Sequence, residues 1–427
     1  MKHLLVIGHT FPEPDTTGAG TRMMQLLKLF LQENYAITFA TTATLSERSA
    51  DLLSHGISVK NIALNDSGFD DFAKRLNPDV VIFDRYITEE QFGWRISEQC
   101  PNALKILDSE DLHFLRKARE EAVRKGLTVS EANLFSTMAK RELASILRCD
   151  LTLIISEYEM ELLQKDFKIS ADLLYYLPFL FEPKSNKSVI SSFIDRKDFI
   201  AIGNLLHAPN VDSVLELKKL WPTIHEQLPQ AELHIYGSYA PQQITQLHDE
   251  KKGFLIKGWT ENLQDTLDKY RLQLAPLRFG AGLKGKIMDA MINGLPTITT
   301  QVGAEGICGS MSFAGKITTT NNDFIKTSVE MYSDEKIWTE AHKHGFNIIQ
   351  NRFLKHSFSE NFRNRIDYLI MNPENHRRQN FIGQILQHHT LQSTKYMSKW
   401  IEAKNSPPQN ASPVCYANSD EVREEYL

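Results

Sequence analysis

The stretch Leu277–Thr300, LRFGAGLKGKIMDAMINGLPTITT, decides how this chain is read. It follows a short apolar run, LQLAPL (272–277). It places glycines at 280, 282 and 285 and lysines at 284 and 286, then continues with a helical apolar pattern. A Gly-Leu-Pro turn and a β-branched run close it. Strand, glycine loop, helix and strand in this order belong to a parallel α/β unit. The start of such a helix carries roughly half a positive charge and free N–H groups. Glycine lets an anion approach the backbone, and the lysines add full charges. The spacing therefore points to a bound phosphate. Gly280, Gly282 and Gly285 match GxGxxG, but no acidic residue closes the following strand as a dinucleotide site requires. No Gly-Lys-Ser/Thr is present, so a P-loop is excluded as well.

The same alternation extends in both directions. Short apolar runs at 3–8, 36–43, 57–64, 79–84, 104–109 and 151–156 are separated by helical patterns. Several runs are continuously apolar, as strands covered on both faces are. One long helical pattern spans about 111–148. After the polar stretch 183–197 the alternation restarts at 198–203, 231–237, 253–259, 272–277, 295–300 and 316–320. The expected organisation is two doubly wound α/β domains, 1–182 and 198–356, joined by a linker at 183–197. A helix at 357–372 follows, opened by Ser357 and Glu360 as a capping box and expected to return to the first domain. The tail 373–427 reads as an amphipathic helix, then disorder. Ligands of such folds bind at the carboxyl ends of strands, here in the cleft between the domains.

Composition narrows the function class. The 427 residues have 42% hydrophobic and 24% charged content and a net charge of -5, ordinary for a globular protein and giving no bulk reason to bind nucleic acid. Four dispersed cysteines without a CxxC fit a reduced, cytoplasmic protein. The N-terminus has no signal-peptide pattern, and no run approaches the roughly 20 apolar residues of a membrane span. No HExxH or Cys/His cluster indicates a metal.

The segment LAPLRFGAGLKGKIMDAMINGLPTITTQVGAEGI resembles the donor site of group 1, family 4-type glycosyltransferases with the GT-B fold. TFPEPDTTGAGTRMMQLLKLF resembles their N-terminal glycine loop and first helix. AIGNLLHAPNVDSVLELKKLW resembles the start of their second domain. The likeness spans roughly 1–370. It implies transfer of a sugar from a nucleotide-sugar to an acceptor hydroxyl, retaining and metal-independent, with no cofactor. The partners are the donor and a glycan, lipid-linked or small-molecule acceptor. Alternatives on the same fold are a non-catalytic nucleotide-sugar-binding protein and a nucleotide-sugar epimerase.

Residue by residue, the resemblance implies that Gly280, Gly282, Lys284, Gly285 and Lys286 hold the donor diphosphate. Asp289 stands at the second Glu of the Glu-x7-Glu pattern and would bind the ribose. Ala281 replaces the first Glu, which departs from the family, and Glu305 is a nearby carboxylate that would compensate. Gly18, Gly20 and Arg22 would reach the diphosphate from the first domain. Gly203, Asn204 and His207 would lie under the nucleotide. Asp111 and His113 follow a strand and would face the cleft. An unperturbed histidine titrates near 6.5 and can move protons at neutral pH. His113, Asp111 and Lys286 are thus the expected catalytic residues. Phe381, Ile385 and Leu386, with His376, Arg377 and Arg378, suggest peripheral contact of the tail with a membrane at its cytoplasmic face.

Overall fold

A computed structural model describes residues 1–183 and 191–405. Residues 184–190 of the expected linker and the end of the tail fall outside the described residues. Seven parallel strands form the first sheet: β1 (His3–Gly8), β2 (Ala36–Thr41), β3 (Ser58–Asn61), β4 (Val80–Asp84), β5 (Leu104–Asp108), β6 (Leu151–Ile154) and β7 (Leu174–Tyr176), in the order β3-β2-β1-β4-β5-β6-β7. Six parallel strands form the second: β8 (Lys197–Ile202), β9 (Leu233–Tyr236), β10 (Phe254–Gly258), β11 (Tyr270–Ala275), β12 (Thr297–Thr300) and β13 (Gly315–Thr318), in the order β10-β9-β8-β11-β12-β13. The strand order reverses at β1/β4 and at β8/β11. The loops leaving β1, β8 and β11 carry the two glycine loops and the Gly203–His207 stretch, as the switch-point rule requires, while Asp111 and His113 follow β5, the neighbour of β4.

The central strands are largely apolar because helices cover both faces, while the edge strands β3 and β13 are polar and partly exposed. β4 and β5 are buried throughout. Each domain has its own apolar core. A further cluster joins Ile155 and Phe179 of the first domain to Leu283, Ile287 and Met288 of the second. The two domains therefore touch directly at the glycine loop.

Three expectations change in the structure. The single long helix at 111–148 is two helices, His113–Arg124 and Thr137–Arg148. Gly126, at φ +75, ends the first in the left-handed region, and Ser136 starts the second by accepting from the Ala139 N–H at 3.2 Å. The capping box at Ser357 does not form. The helix is His356–Met371 and starts a residue earlier, where the chain leaves a backbone pairing between Lys355 and Phe181. The tail helix is interrupted at Asn380, giving Pro373–Gln379 and Phe381–Asn405.

The helix His356–Met371 follows the second domain in sequence but packs on the first. Phe362, Ile366 and Leu369 join the core that holds Leu27 and Phe30. Phe362 meets Phe30 edge-on at 5.8 Å, and Lys2 pairs with Asp367 at 2.6 Å.

Candidate active site in the interdomain cleft

Two helix N-termini meet in the cleft. One belongs to the helix Gly18–Gln32 after β1, the other to the helix Gly285–Ile292 after β11. A Cβ placed on Gly285 would lie 3.5 Å from the Gly18 Cα, ordinary contact distance, so the two helix starts are packed against each other. First-turn amides have no intrahelical acceptor, which leaves Gly18 and Ala19 facing Gly285 and Lys286. Thr17 Oγ1 already accepts from the Gly20 N–H at 2.9 Å. Gly20 is required for packing, because a Cβ there would lie 2.4 Å from the Glu13 backbone.

Lys286 enters the cleft from the second domain and donates to Asn210 Oδ1 at 2.6 Å. Burial, then the neighbouring Lys284 charge, lower its ammonium to about 7. Lys284 is 8% exposed and turns back to donate to the Gly282 carbonyl at 2.7 Å. It acts on the shape of the loop as well as on its charge. Asp289, one turn into the helix, is pushed up to about 7 by burial.

Gly203 follows β8, and a Cβ there would lie 2.7 Å from Asn210, so its role is to seat that side chain. Asn210 Nδ2 also donates to the Asn204 carbonyl at 2.8 Å. This chain of contacts sets the position of Lys286. His207 caps the helix Ala208–Gln227 from outside. Desolvation in the cleft and the Arg116 charge lower it to about 4.

Across the cleft, His113 opens its helix and lies 3.5 Å from Asp111. Burial lowers His113 to about 3, against the pull of Asp111. The imidazole is therefore neutral at physiological pH, unlike the freely titrating histidine expected from sequence. It can donate or accept a hydrogen bond but is no proton reservoir. Burial works to raise Asp111, but Arg116, followed by His113, outweighs it and holds the carboxylate ionised. Arg85 (φ +70) and Glu110 (φ +62) adopt left-handed backbone beside this group. Such strain concentrates at functional sites.

Besides the Gly20 amide and Lys284, three expected donor contacts are redirected. Arg22 is 1% exposed; its Nε donates to Asp108 at 2.8 Å and its Nη1 to the Leu177 carbonyl at 2.5 Å. It braces the first domain rather than reaching a phosphate. The Gly282 N–H donates to Glu159 Oε1 at 2.8 Å and is taken. Glu305 is held bidentately by Arg119, both contacts at 2.8 Å, so it does not stand free for a sugar.

Arg119, Arg116 and Glu142 join the site without having been singled out in sequence, whereas Glu159 stands in SEYEMELL (156–163), which reads from sequence as a helix N-cap and a family-like Glu pair of mainly structural role. Arg116 and Arg119 follow His113 at intervals of three, a helical spacing that signals one shared face. Glu142 accepts from the His113 and Phe114 N–H groups at 3.1 and 2.8 Å, fixing the histidine from a distant helix. No local signal marks Glu142. Far from the cleft, Asp198, Glu232 and His234 place ligand-type atoms within 4.8 Å of one another at the amino ends of β8 and β9. Both ring nitrogens of His234 are already bonded, to Tyr270 and Glu232.

Comparison with known proteins agrees with this fold. The profile of the family described as Glycosyl transferases group 1 matches residues 196–332. No curated protein matches the sequence. Among solved structures, sucrose-phosphate synthase from Thermosynechococcus elongatus superposes with a TM-score of 0.65 at 12% identity, covering 87% of this chain and 100% of that one. TarM from S. aureus, in a complex containing UDP, gives 0.63 at 11% identity, covering 86% and 100%. Anabaena HepE, in complex with UDP and glucose, gives 0.59 at 14% identity, covering 85% and 99%. The shared architecture is GT-B, two facing parallel sheets with the cleft between them.

Proposed function

We propose that this chain, a group 1 glycosyltransferase by its residues 196–332, moves a hexose from a nucleotide-sugar donor to an acceptor hydroxyl of a glycan or a lipid-linked or small molecule. The observation that carries the reading is the pair of facing helix N-termini, one at each sheet's switch point, with Lys286 beside them. As the sugar–phosphate bond breaks, negative charge develops on the departing nucleoside diphosphate. Preorganised amides and an ammonium are worth most where that charge appears. Gly18, Ala19, Gly285 and Lys286 supply the amides, and Lys286 supplies the cation. Asp289 lies one turn along the same helix, within reach of the ribose.

We assign His113 and Asp111 to the sugar side of the cleft. The neutral imidazole hydrogen-bonds the reacting sugar or the acceptor, with Asp111 setting its orientation and Glu142 holding the backbone of His113 and Phe114. The leaving phosphate takes the acceptor proton, and anomeric configuration is retained, as the family resemblance implies. Since Lys286 and the amides neutralise the leaving group, turnover is proposed to be metal-independent. A nucleotide-sugar-binding protein without turnover is the second reading. It is favoured by Ala281, which packs in the first domain's apolar cluster where the family places a carboxylate. Formation of any glycoside product removes that reading.

Thermal-shift measurement with UDP, GDP, ADP, dTDP and CMP, with and without magnesium, tests the donor site. Ligands that bind only the folded state raise Tm by mass action. UDP is the first to try, because it is the nucleotide named in the TarM and HepE complexes. The expected result is a shift with one nucleoside diphosphate that persists in EDTA. No shift with any of them sinks the reading.

Among the described residues, no helix is long and apolar enough to cross a membrane. We propose peripheral attachment at the cytoplasmic face instead. The helix Phe381–Asn405 exposes Phe381, Ile382, Ile385, Tyr396, Met397 and Trp400 on one side. Exposed Arg378, Lys399 and Lys404 flank them, a pattern suited to an anionic bilayer surface.

A further inference from the structure

Glu159 sits in the first turn of the helix Glu157–Lys165 and is fully buried. Its Oε1 accepts two hydrogen bonds at once, from the Leu112 N–H at 2.9 Å and from the Gly282 N–H at 2.8 Å. The donors belong to different domains. Leu112 immediately precedes His113 and caps its helix. Gly282 lies in the glycine loop, two residues before Lys284. The other carboxylate oxygen, Oε2, is buried without a hydrogen-bond partner. A buried carboxylate normally has its lone pairs satisfied, and an orphaned oxygen costs free energy. Mere stability of the first domain does not account for the arrangement, since half of the carboxylate's hydrogen bonding goes to the other domain.

Surrounding contacts converge on the same seam. Gly282 has φ +62, and a Cβ there would lie 2.9 Å from the Asp111 Cβ. The loop therefore presses directly on the residue that pairs with His113. Two residues away, the Gly280 carbonyl accepts from Arg119 Nη1 at 2.8 Å, and the same guanidinium clasps Glu305. Lys284 closes the loop from its own side through the Gly282 carbonyl.

We infer that Glu159 is a positioning residue for the transfer reaction. One carboxylate oxygen ties the backbone of the His113 loop to the backbone of the glycine loop, so that the sugar-side and phosphate-side halves of the site are registered only when the domains dock. This rests on the glycosyltransferase reading of the cleft. Glu159 touches neither substrate; it fixes the two loops that do. It also moves the diphosphate subsite. With the Gly282 amide taken, the second domain offers the phosphate the amides of Gly285 and Lys286 and the Lys286 ammonium, facing the Gly18 and Ala19 amides of the first.

The test compares wild type, Glu159→Ala and Glu159→Gln in the full chain. Hydrogen exchange of 280–285 and 110–114, nucleoside diphosphate affinity, and steady-state kinetics are measured for each. In Glu159→Ala, both segments are expected to lose protection together. kcat should fall on the order of 100-fold, the cost of small misplacement in a reacting pair. Nucleotide affinity should stay within about 3-fold, since the loss falls on the transition state rather than on donor binding. Glu159→Gln, whose carbonyl oxygen can still accept both N–H groups, should restore protection and most of kcat. It also guards against a failure of the alanine variant to fold. If the two segments exchange independently, or if glutamine does not rescue, the bridge is not the positioning device. If wild type binds no nucleotide while the exchange results hold, the glycosyltransferase reading fails and the interdomain bridge stands.

Discussion

Lys286 concentrates the chemistry proposed for single residues. Its ammonium is lowered to about 7 by burial and by Lys284, so in the free protein it is half charged near neutrality. An incoming diphosphate favours the charged form. Donor affinity should therefore be strongest below pH 7 and weaken as pH rises through 7, because binding must then recruit a proton. Lys286→Met should flatten that slope between pH 6 and 8. Lys286→Ala should lower kcat/KM about 10- to 150-fold, the worth of one charge-assisted hydrogen bond of about 1.5–3 kcal/mol. Titration calorimetry across pH and initial rates check both statements. Unchanged turnover in Lys286→Ala would remove the residue from the mechanism.

At the scale of elements, the glycine loop and its helix were readable because glycine, lysine and helical periodicity coincide within one short segment. The break between His113–Arg124 and Thr137–Arg148 was not, because residues that favour helices continue on both sides of the left-handed turn at Gly126. The return helix His356–Met371 supplies a sharper test. Phe362 is buried against Phe30 and Tyr175 of the first domain. Phe362→Ala should cost about 3–5 kcal/mol, the usual loss for a buried phenylalanine. Chemical denaturation followed by two probes, one in each domain, should show the loss in the first domain although the residue follows the second. A loss confined to the second domain would contradict this packing.

On the scale of the whole molecule, the tail is both a structural strap and a proposed attachment surface. Arg377 pairs with buried Asp150 at 2.8 Å, and His376 bonds the Asp150 carbonyl at 2.7 Å. Lys395 pairs with Glu98 at 2.6 Å. Truncation after 372 leaves Asp150 without its ion partner and should destabilise the protein on the order of 3 kcal/mol. The combined variant Phe381→Ser, Ile385→Ser, Trp400→Ser keeps those ties. It should retain wild-type Tm and activity on a water-soluble acceptor, yet lose cosedimentation with phosphatidylglycerol vesicles. If the wild type stays in the supernatant with such vesicles, the membrane proposal is wrong.

The sequence by itself determined the two parallel α/β domains, the phosphate-type loop at 280–286 and its likeness to a donor site. These are written in local terms: strand runs, helix starts, and glycines where backbone must come close. Tertiary structure alone decided how the candidate residues are employed. Arg22 is consumed by Asp108, Glu305 by Arg119 and the Gly282 amide by Glu159, all partners distant in sequence. His113 is neutral for the same reason, because burial between domains is a property of packing. A residue's chemistry follows from its partners and its solvation, and both are set only once the two domains close on each other.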